Sequence, residues 1–327
     1  MTWNVENLFR PEDDAAPEEQ ERYQFKLSLI TGLINQRGPD VVALQEVGGD
    51  GPLQDLQQAL DGTYPHRIVS LFPDGRGIRV AFLSTLPLDE PPEDIVDFPP
   101  GPALDINDLT ATGGSETITR MSRGALRIRV TKDGLTLDVI TAHLKSKLLT
   151  FPRPGGSSFT PRNEGERAQA AGVALLKREA EAVTLRLRIN SFLEGNGQLP
   201  LLLLGDFNDV PEAQTSLILN GPPGSEIGTP GFNRPDVGDD ARLFNLAPII
   251  PEARRFSRKH HGRGELIDQI FASEEMLPFE QNHHRRLPDV DSLIDFAGEL
   301  PSVGDNPDAR VEAVIPDHAP VIASFDL

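Results

Sequence analysis

The chain has no cysteine, one tryptophan and two tyrosines among its 327 residues. The absence of cysteine excludes disulfide bonds, thiolate metal sites and a cysteine nucleophile. No apolar run approaches the roughly 20 residues that a membrane-spanning helix needs. The first residues also lack the basic and then apolar segments of a secretory signal. We therefore expect a cytoplasmic protein without a membrane anchor, unless the chain is a trimmed form of a secreted protein.

Positive charge is scarce as well, with 31 Lys and Arg against 50 Asp and Glu and a net charge of −19. Such a chain repels a polyanion at long range. Either its substrate is not a long nucleic acid, or a local basic cluster and bound cations offset the overall charge. The hydrophobic fraction of 38% is sufficient for a large buried core. The 29 glycines and 29 prolines indicate many turns and several long loops.

Apolar segments alternate with turn residues in a pattern typical of α/β proteins. The spacing predicts helices over residues 22–37, 52–60, 163–193 and 212–220. It predicts strands over residues 2–5, 40–45, 66–71, 78–83, 125–130, 135–141, 201–204, 267–272 and 319–325. The stretches 10–21, 88–116, 148–161, 221–248 and 287–308 are expected to be mostly loop. Because no linker-like composition or repeat interrupts the chain, we expect a single domain over residues 1–327 with long loop insertions.

Polar side chains follow or interrupt these apolar strands at six places. They are Asn4 with Asn7, Glu46, His143, Asp206 with Asn208, Asp268, and Asp317 with His318. Ligand sites collect at strand ends, so these groups would converge on one mouth if the strands share a sheet. Oxygen ligands without cysteine suit Mg²⁺ or Mn²⁺ better than zinc. Each residue alone also fits a turn, a cap or a buried ion pair, but all six together favour a site.

Six segments of the chain resemble the endonuclease/exonuclease/phosphatase superfamily, in that superfamily's order and from Met1 to Leu327. They are Thr-Trp-Asn-Val-Glu-Asn-Leu-Phe, Leu-Gln-Glu-Val, Thr-Ala-His-Leu-Lys-Ser-Lys, Leu-Gly-Asp-Phe-Asn-Asp, Leu-Ile-Asp-Gln-Ile-Phe and Pro-Asp-His-Ala-Pro-Val. Two stretches are similar to bacterial nuclease-like members of the superfamily. They are His-Leu-Lys-Ser-Lys at residues 143–147 and the stretch 255–268. The resemblance implies a deoxyribonuclease-I-like fold, which is a four-layer α/β/β/α sandwich of two mixed sheets with the helices outside. Periodicity alone does not separate this fold from other layered α/β folds.

The resemblance also implies a metal site. Glu46 matches the acidic metal ligand of the superfamily, and Asn4 and Asp317 match residues near the metal. We expect Mg²⁺ as the cofactor, with Mn²⁺ and Ca²⁺ as alternatives, and either one or two ions. Such an ion would neutralise a non-bridging oxygen of an anionic phosphodiester.

Catalytic roles follow from the resemblance in the same way. His143 matches the histidine that contacts the scissile phosphate, and Asn208 the side chain that binds a phosphate oxygen. Asp206 matches the carboxylate that positions or deprotonates the attacking water. Asp268 matches the residue that orients His318, the second catalytic histidine. An unperturbed histidine exchanges protons near neutral pH, so His318 and Asp206 are both candidates for the general base.

Two positions depart from the superfamily pattern. Pro316 stands where serine usually precedes the last Asp-His pair, which removes a backbone N–H. Glu265 and Leu266 stand where an arginine often precedes the Ile-Asp strand. Arg263 is the nearby candidate for the cation that this second change removes.

Basic residues cluster locally in spite of the net charge. The candidate substrate-binding residues are Arg123, Lys145, Lys147, Arg167, Arg258, Lys259 and Arg263, and Arg254 and Arg255 adjoin them in sequence. They could line a groove for phosphates, and a solvated surface run fits them equally well.

These observations favour a monomeric, divalent-metal-dependent phosphodiester hydrolase. The leading hypothesis is a nuclease that cleaves DNA or RNA, as an endonuclease or an exonuclease, by metal-assisted attack of water on phosphorus. The first alternative is a phosphatase or phosphodiesterase of a small or lipid phosphoester. The second is a non-catalytic binding domain, which the presence of Glu46, Asp206, Asn208, Asp268 and His318 disfavours.

Overall fold

The computed structural model describes residues 1–101, 104, 106–110, 114–194, 199–234, 241–280, 284–310 and 312–326. Its α-helices there are α1 (Pro17–Arg37), α2 (Asp50–Ala59), α3 (Glu164–Leu193) and α4 (Gln214–Leu219). The strands are β1 (Thr2–Leu8), β2 (Val41–Val47), β3 (His66–Val69), β4 (Arg79–Ser84), β5 (Glu93–Asp97), β6 (Ile106–Leu109), β7 (Ser115–Ile118), β8 (Arg120–Lys132), β9 (Leu135–His143), β10 (Phe151–Arg153), β11 (Gly156–Ser158), β12 (Leu201–Asp206), β13 (Leu243–Asn245), β14 (Arg258–His260), β15 (Arg263–Glu265), β16 (Asp268–Ser273), β17 (Asp289–Ser292), β18 (Ser302–Val303) and β19 (Val321–Ser324). In this described part of the chain, no helix is long and apolar enough to cross a lipid bilayer.

Two six-stranded mixed sheets form the centre of the fold. The first sheet has the strand order β17-β19-β1-β2-β4-β3, and the second has the order β13-β16-β12-β9-β8-β5. In the first, β1 pairs in parallel with β2 and antiparallel with β19. In the second, β12 pairs in parallel with β9 and antiparallel with β16. The prediction of two mixed sheets is therefore confirmed.

The buried side chains divide the molecule into four layers. Between the sheets, Phe82 of β4 belongs to the same apolar cluster as Ile128 of β8 and Leu204 of β12. On the outer face of the first sheet, Ile30 of α1 and Leu53 of α2 are fully buried. On the outer face of the second sheet, the α3 side chains Leu185 and Ile189 are fully buried with Ile140 and Phe271. Each such side chain contributes about 1.5–3 kcal/mol on leaving water. This is the helix–sheet–sheet–helix order that the resemblance implied.

Helix α1 shows how local chemistry sets an element's bounds. Its end is as predicted, because Gly38 adopts a left-handed φ of 55° and donates its N–H to the Ile34 carbonyl. Its start at Pro17 lies five residues before the predicted one. Proline is favoured in the first turn of a helix, where its missing N–H has no partner to lose, and acidic residues there are favoured by the helix dipole. The Pro-Glu-Glu stretch predicted as loop is therefore the first turn.

Several predicted loops contain short strands, which corrects the sequence-based boundaries. Strand β5, in the predicted loop 88–116, pairs with β8 at the edge of the second sheet. The hairpin β10–β11 and the strands β6, β13, β17 and β18 also fall in predicted loops, and β7 begins in one. Edge strands and small hairpins carry charged residues and lack a clean apolar alternation, so their pattern is weak. The predicted β8–β9 hairpin is confirmed, with Asp133 and Gly134 at φ 51° and 86° in its turn.

Candidate active site

The register of the second sheet places three predicted site residues in one row. Asp206 at the end of β12 is the direct partner of His143 on β9 and of Asp268 on β16. Directly paired residues point to the same face of a sheet. Gly205 makes this row possible, because a Cβ built on it would lie 2.0 Å from the Ala142 carbonyl oxygen and its φ is 154°.

The first sheet contributes Asn4 and Glu46 from a region where the β1–β2 register is irregular. Glu6, Asn7 and Glu46 all adopt left-handed backbone conformations there, with φ of 48°, 54° and 66°. Such conformations are costly for non-glycine residues and collect at functional sites. Asn4 Nδ2 donates to Asp206 Oδ2 at 2.9 Å and lies 3.3 Å from Glu46 Oε1. Asn4 therefore links the site residues of the two sheets.

His318 and Asp268 form a buried pair. His318 Nδ1 lies 2.6 Å from Asp268 Oδ2, and Trp3 Nε1 donates to the His318 carbonyl at 2.8 Å. Burial alone would lower the pKa of His318, but the carboxylates of Asp268, Asp317 and Asp206 outweigh it and raise that pKa to about 10. His318 is consequently an imidazolium at neutral pH in the metal-free protein.

The Pro316 departure leaves the Asp317–His318 segment in place. The Asp317 backbone N–H donates to Glu6 Oε2 at 3.0 Å, and Arg310 pairs with both oxygens of the same Glu6 carboxylate at 2.6 and 2.7 Å. Lys26 of α1 donates to the Glu6 carbonyl. These contacts fix the loop that carries the last Asp-His pair.

Asp206 and His143 are buried neighbours with opposite pKa shifts. Burial raises the pKa of Asp206 to about 6, against the nearby His318 cation. Burial also holds the pKa of His143 well below its usual value, so this ring is neutral. His143 Nε2 lies 3.3 Å from Asp206 Oδ2 and 4.0 Å from Glu46 Oε1, and its Nδ1 is buried without a hydrogen-bond partner. His143 lines the cleft, and Nε2 is the ring nitrogen that faces the two carboxylates.

The carboxylates of the cleft fit a hard divalent cation. Glu46 and Asp317 line the same cleft as Asp206 and His318. Glu46 Oε2 accepts the Asn7 backbone N–H at 3.0 Å, while Oε1 faces His143 and Asn4. A divalent cation bound to carboxylate oxygens would add to the positive charge that His318 and Arg258 already place beside them.

Asn4 lies beside these carboxylates, and its place near the metal stays a prediction. Its Oδ1 accepts the Glu6 backbone N–H at 3.0 Å, so the amide presents N–H groups to Glu46 and Asp206. Asn208, with a φ of 53°, lines the cleft and donates from Nδ2 to the Leu144 carbonyl.

Three of the seven predicted basic residues line the cleft. Arg123 is buried, with Nε 3.1 Å from Asp74 Oδ2, and Nη1 donates to the Leu144 carbonyl. Lys147 Nζ lies 3.0 Å from Asp209 Oδ1. Arg258 Nε lies 3.6 Å from Asp317 Oδ2.

The other four lie outside the lining of the cleft, and their part in substrate binding stays a prediction. Lys145 Nζ donates to the Ser146 and Leu148 carbonyls. Arg167 pairs with Glu164 at 2.7 Å on the exposed start of α3, and Lys259 pairs with Glu299 at 3.0 Å. Arg263 is exposed on β15. Lys259 faces away from the cleft because it alternates with Arg258 along β14.

Several residues of the cleft are not among those predicted from the sequence. Arg76, Arg310 and Glu6 line it, and Lys26 supports it through the Glu6 carbonyl. Arg76 lies in a loop and Arg310 ends a short 3-10 helix, both outside every motif, so no local pattern identifies them. Glu6 lies inside the first motif, two residues after Asn4, and its alternation with Asn4 along the strand was a usable signal.

Comparison with known proteins identifies the family and the fold of the chain. The model of the Endonuclease/Exonuclease/phosphatase family matches residues 1–291. Among solved structures, TDP2 from C. elegans is similar with a TM-score of 0.53 and 16% identity over 99% of this chain and 73% of that chain. A humanized D. rerio TDP2 gives a TM-score of 0.54 and 16% identity over 100% and 97% of the two chains.

A bacterial structure is similar to the same degree. An endonuclease/exonuclease/phosphatase family protein from Leptotrichia buccalis gives a TM-score of 0.53 and 13% identity over 100% of this chain and 98% of that chain. At these identities the structures show a shared fold. No curated protein sequence gives a significant match. The family model, which covers most of the chain, shows that it belongs to the endonuclease/exonuclease/phosphatase family, a family of hydrolases that act on phosphoester bonds.

Proposed function

We propose that this protein is a divalent-metal-dependent phosphodiesterase that hydrolyses nucleic acid, acting as a monomer through one catalytic domain over residues 1–327. The observation that carries the proposal is the meeting of Asp206, Glu46 and the His318–Asp268 pair in one cleft, from both sheets. The family supports phosphoester hydrolysis.

Glu46 and Asp317 are the residues that would hold the metal. Mg²⁺ is the first ion to test and Mn²⁺ and Ca²⁺ are alternatives, since all three take oxygen ligands. When bound, the ion supplies positive charge to a non-bridging phosphate oxygen.

Asp206 and His318 have the pKa order of a base and an acid. The pKa of Asp206, at about 6, leaves its carboxylate ionised at neutral pH, and the pKa of His318, at about 10, leaves its ring charged. In active sites, two titratable groups whose pKa values are moved apart by their surroundings commonly act as the base and the acid. Asp206 would orient the attacking water and accept its proton. His318 would donate from Nε2 to the phosphate, because Nδ1 is bonded to Asp268.

The remaining groups would hold the phosphate. Neutral His143 can contact one oxygen without competing for the proton that Asp206 accepts, and Asn208 and Arg123 line the same cleft. Arg76, Lys147, Arg258 and Arg310 add positive charge around it. These cations favour an anionic polymer in spite of the net charge of −19.

A small phosphoester is the second candidate substrate. It is favoured because Lys145, Arg167 and Lys259 make their contacts outside the cleft. A shorter cationic surface neutralises fewer phosphates of a polymer.

Hydrolysis assays with Mg²⁺ or Mn²⁺ test both candidates. The substrates are plasmid DNA, single-stranded DNA, RNA, bis-p-nitrophenyl phosphate, inositol phosphates and sphingomyelin. Asp206→Asn should lower kcat by at least about 100-fold while the protein stays folded, because the loss is in the transition state. Asp133→Asn, in the β8–β9 turn where asparagine is favoured, is the matched control. Activity of Asp206→Asn within a fewfold of wild type would contradict the proposal.

A further inference from the structure

A second group of potential ligands lies beside the cleft, on β14 and on the loop that follows β18. His260 Nε2 is 3.1 Å from Asp305 Oδ1, and His261 Nε2 is 3.2 Å from Asp305 Oδ2. The two imidazole rings have centroids 4.3 Å apart. One ligand atom from each residue lies within 4.8 Å of the other two. Two imidazoles and one carboxylate therefore lie together in one small group.

The backbone brings these two adjacent histidines to the same side. Consecutive residues of a strand point to opposite faces, but His261 has a left-handed φ of 47° and Gly262 one of 76°. Two such residues form the tight turn of a hairpin, and asparagine or glycine is the usual first member. Histidine takes this conformation at an energetic cost, and strained residues of this kind collect at functional sites.

Backbone contacts hold the turn against β18. The His261 N–H donates to the Val303 carbonyl at 2.9 Å, and the Gly262 N–H donates to Ser302 Oγ at 2.8 Å. A Cβ built on Gly304 would lie 3.6 Å from His261 Cε1, so the ring lies directly against this glycine. Asp305 follows immediately, and its position is thus tied to that of the rings.

We propose that His260, His261 and Asp305 form a binding site for a transition-metal ion of the Zn²⁺ class. Zinc accepts imidazole nitrogen and carboxylate oxygen, and three protein ligands leave one position open. Tetrahedral zinc with ligand bonds of about 2.0 Å separates its ligand atoms by roughly 3.3 Å. One ligand atom from each of the three residues already lies within 4.8 Å of the others, so small side-chain rotations bring them to that spacing.

This site differs in chemistry from the carboxylates of the catalytic cleft. Imidazole selects zinc and its neighbours over Mg²⁺. His261 and Asp305 are exposed, with side-chain exposures of 59% and 81%, so an ion can enter from solvent. Asp305 also lines the cleft together with Arg258, so the open position of the ion adjoins the path of an anionic substrate. Binding of the ion does not depend on the proposed function.

Isothermal titration of the full chain with Zn²⁺, in a buffer with excess Mg²⁺, tests the site. His261→Asn keeps the left-handed turn and removes one ligand, and Asp305→Asn removes the carboxylate. Each variant should bind one Zn²⁺ ion with an affinity at least tenfold lower than that of wild type. His66→Asn, on the edge strand β3, is the matched control and should bind like wild type. Histidine ¹H–¹⁵N correlation spectra should show Zn²⁺-dependent shifts of the His260 and His261 rings.

His318→Asn separates this site from the catalytic cluster, because Asp206, Asp268 and His318 form a second group with ligand atoms close together. The Zn²⁺ ion at His260, His261 and Asp305 should still bind to that variant. The proposal is overturned if wild-type protein takes up no Zn²⁺ outside the catalytic cluster, or if His261→Asn and Asp305→Asn bind it with unchanged affinity. In either case the three residues form an ion pair only.

Discussion

His318 Nδ1 lies 2.6 Å from Asp268 Oδ2, and both side chains are buried. The two residues are 50 positions apart in sequence. Since the bond occupies Nδ1, the orientation of the ring and the direction of Nε2 are set by Asp268. Asp268 would thus act on the reaction through His318.

This relationship predicts non-additive effects of mutation. His318→Ala and Asp268→Ala should each lower kcat/KM strongly, and the double variant should be little worse than His318→Ala. Residues that act as one unit behave in this way. The measurement is a double-mutant cycle on kcat/KM, with folding checked by circular dichroism. Effects that simply add would show that Asp268 acts independently of His318.

The pKa values predict the pH dependence of the activity. Asp206 is neutral below its pKa of about 6 and ionised above it, so activity should rise as pH increases through about 6. His318 loses its charge as pH rises through about 10, so activity should fall there. The pH profile of kcat/KM should therefore be bell-shaped with a plateau between these values.

Substitution of Asn4 tests whether Asp206 controls the acidic limb of the pH profile. Its hydrogen bond to Asp206 lowers the pKa of that carboxyl. Asn4→Ala should therefore move the acidic limb to higher pH, while the alkaline limb stays in place. A limb that moves to lower pH, or does not move, would show that another group controls it.

Metal dependence should change at Glu46. Glu46→Gln keeps the size of the side chain and removes the charge, so it should raise the Mg²⁺ concentration for half-maximal activity by about tenfold or more. Turnover at saturating Mg²⁺ should also fall. Glu18→Gln, in the exposed first turn of α1, is the control. Unchanged Mg²⁺ dependence in Glu46→Gln would remove Glu46 from the metal site.

Gly205 predicts a large effect on stability. An alanine Cβ would lie 2.0 Å from the Ala142 carbonyl oxygen, at a φ of 154°, so β12 and β9 could not keep their register. Gly205→Ala should lower the free energy of unfolding by about 3 kcal/mol or more, or prevent folding. Gly172→Ala in the exposed middle of α3 has open space and should raise it by about 0.5–1 kcal/mol. Urea unfolding measures both, and equal effects would contradict the steric argument.

Local signals explain which parts of the fold could be predicted. Gly38 ends α1, Asn163 accepts the Glu166 N–H at the start of α3, and Asp133-Gly134 forms the β8–β9 turn. Each of these depends on residues within a few positions of one another. The six site motifs were recognisable because each lies within or next to an apolar strand.

Long-range pairing explains what could not be predicted. Arg310 contacts Glu6 across 304 positions, and His260 contacts Asp305 across 45. No sequence window contains both members of such a pair. The surroundings of Lys145 depend equally on how the loop after β9 turns, which brings its ammonium group to the Leu148 carbonyl. Motif and periodicity therefore predicted the strand ends, whereas the cations of the cleft required the structure.

Neighbouring residues on β14 allow a direct test of the substrate. Arg258 lines the cleft, whereas Lys259 pairs with Glu299 on the other side of the strand. Arg258→Ala and Lys259→Ala remove the same formal charge one residue apart. If the substrate is nucleic acid, Arg258→Ala should raise KM for DNA and reduce the log–log salt slope of binding by roughly 0.9, since one phosphate contact is lost.

Lys259→Ala should leave both quantities near the wild-type values, because overall charge alone acts weakly at physiological salt. With bis-p-nitrophenyl phosphate, which has a single phosphate, Arg258→Ala should change KM less than it does with DNA. Steady-state kinetics on the two substrates between about 50 and 200 mM salt measure the difference. Equal effects of Arg258→Ala on both substrates would favour a small phosphoester, because the arginine would then contact only the phosphate that reacts.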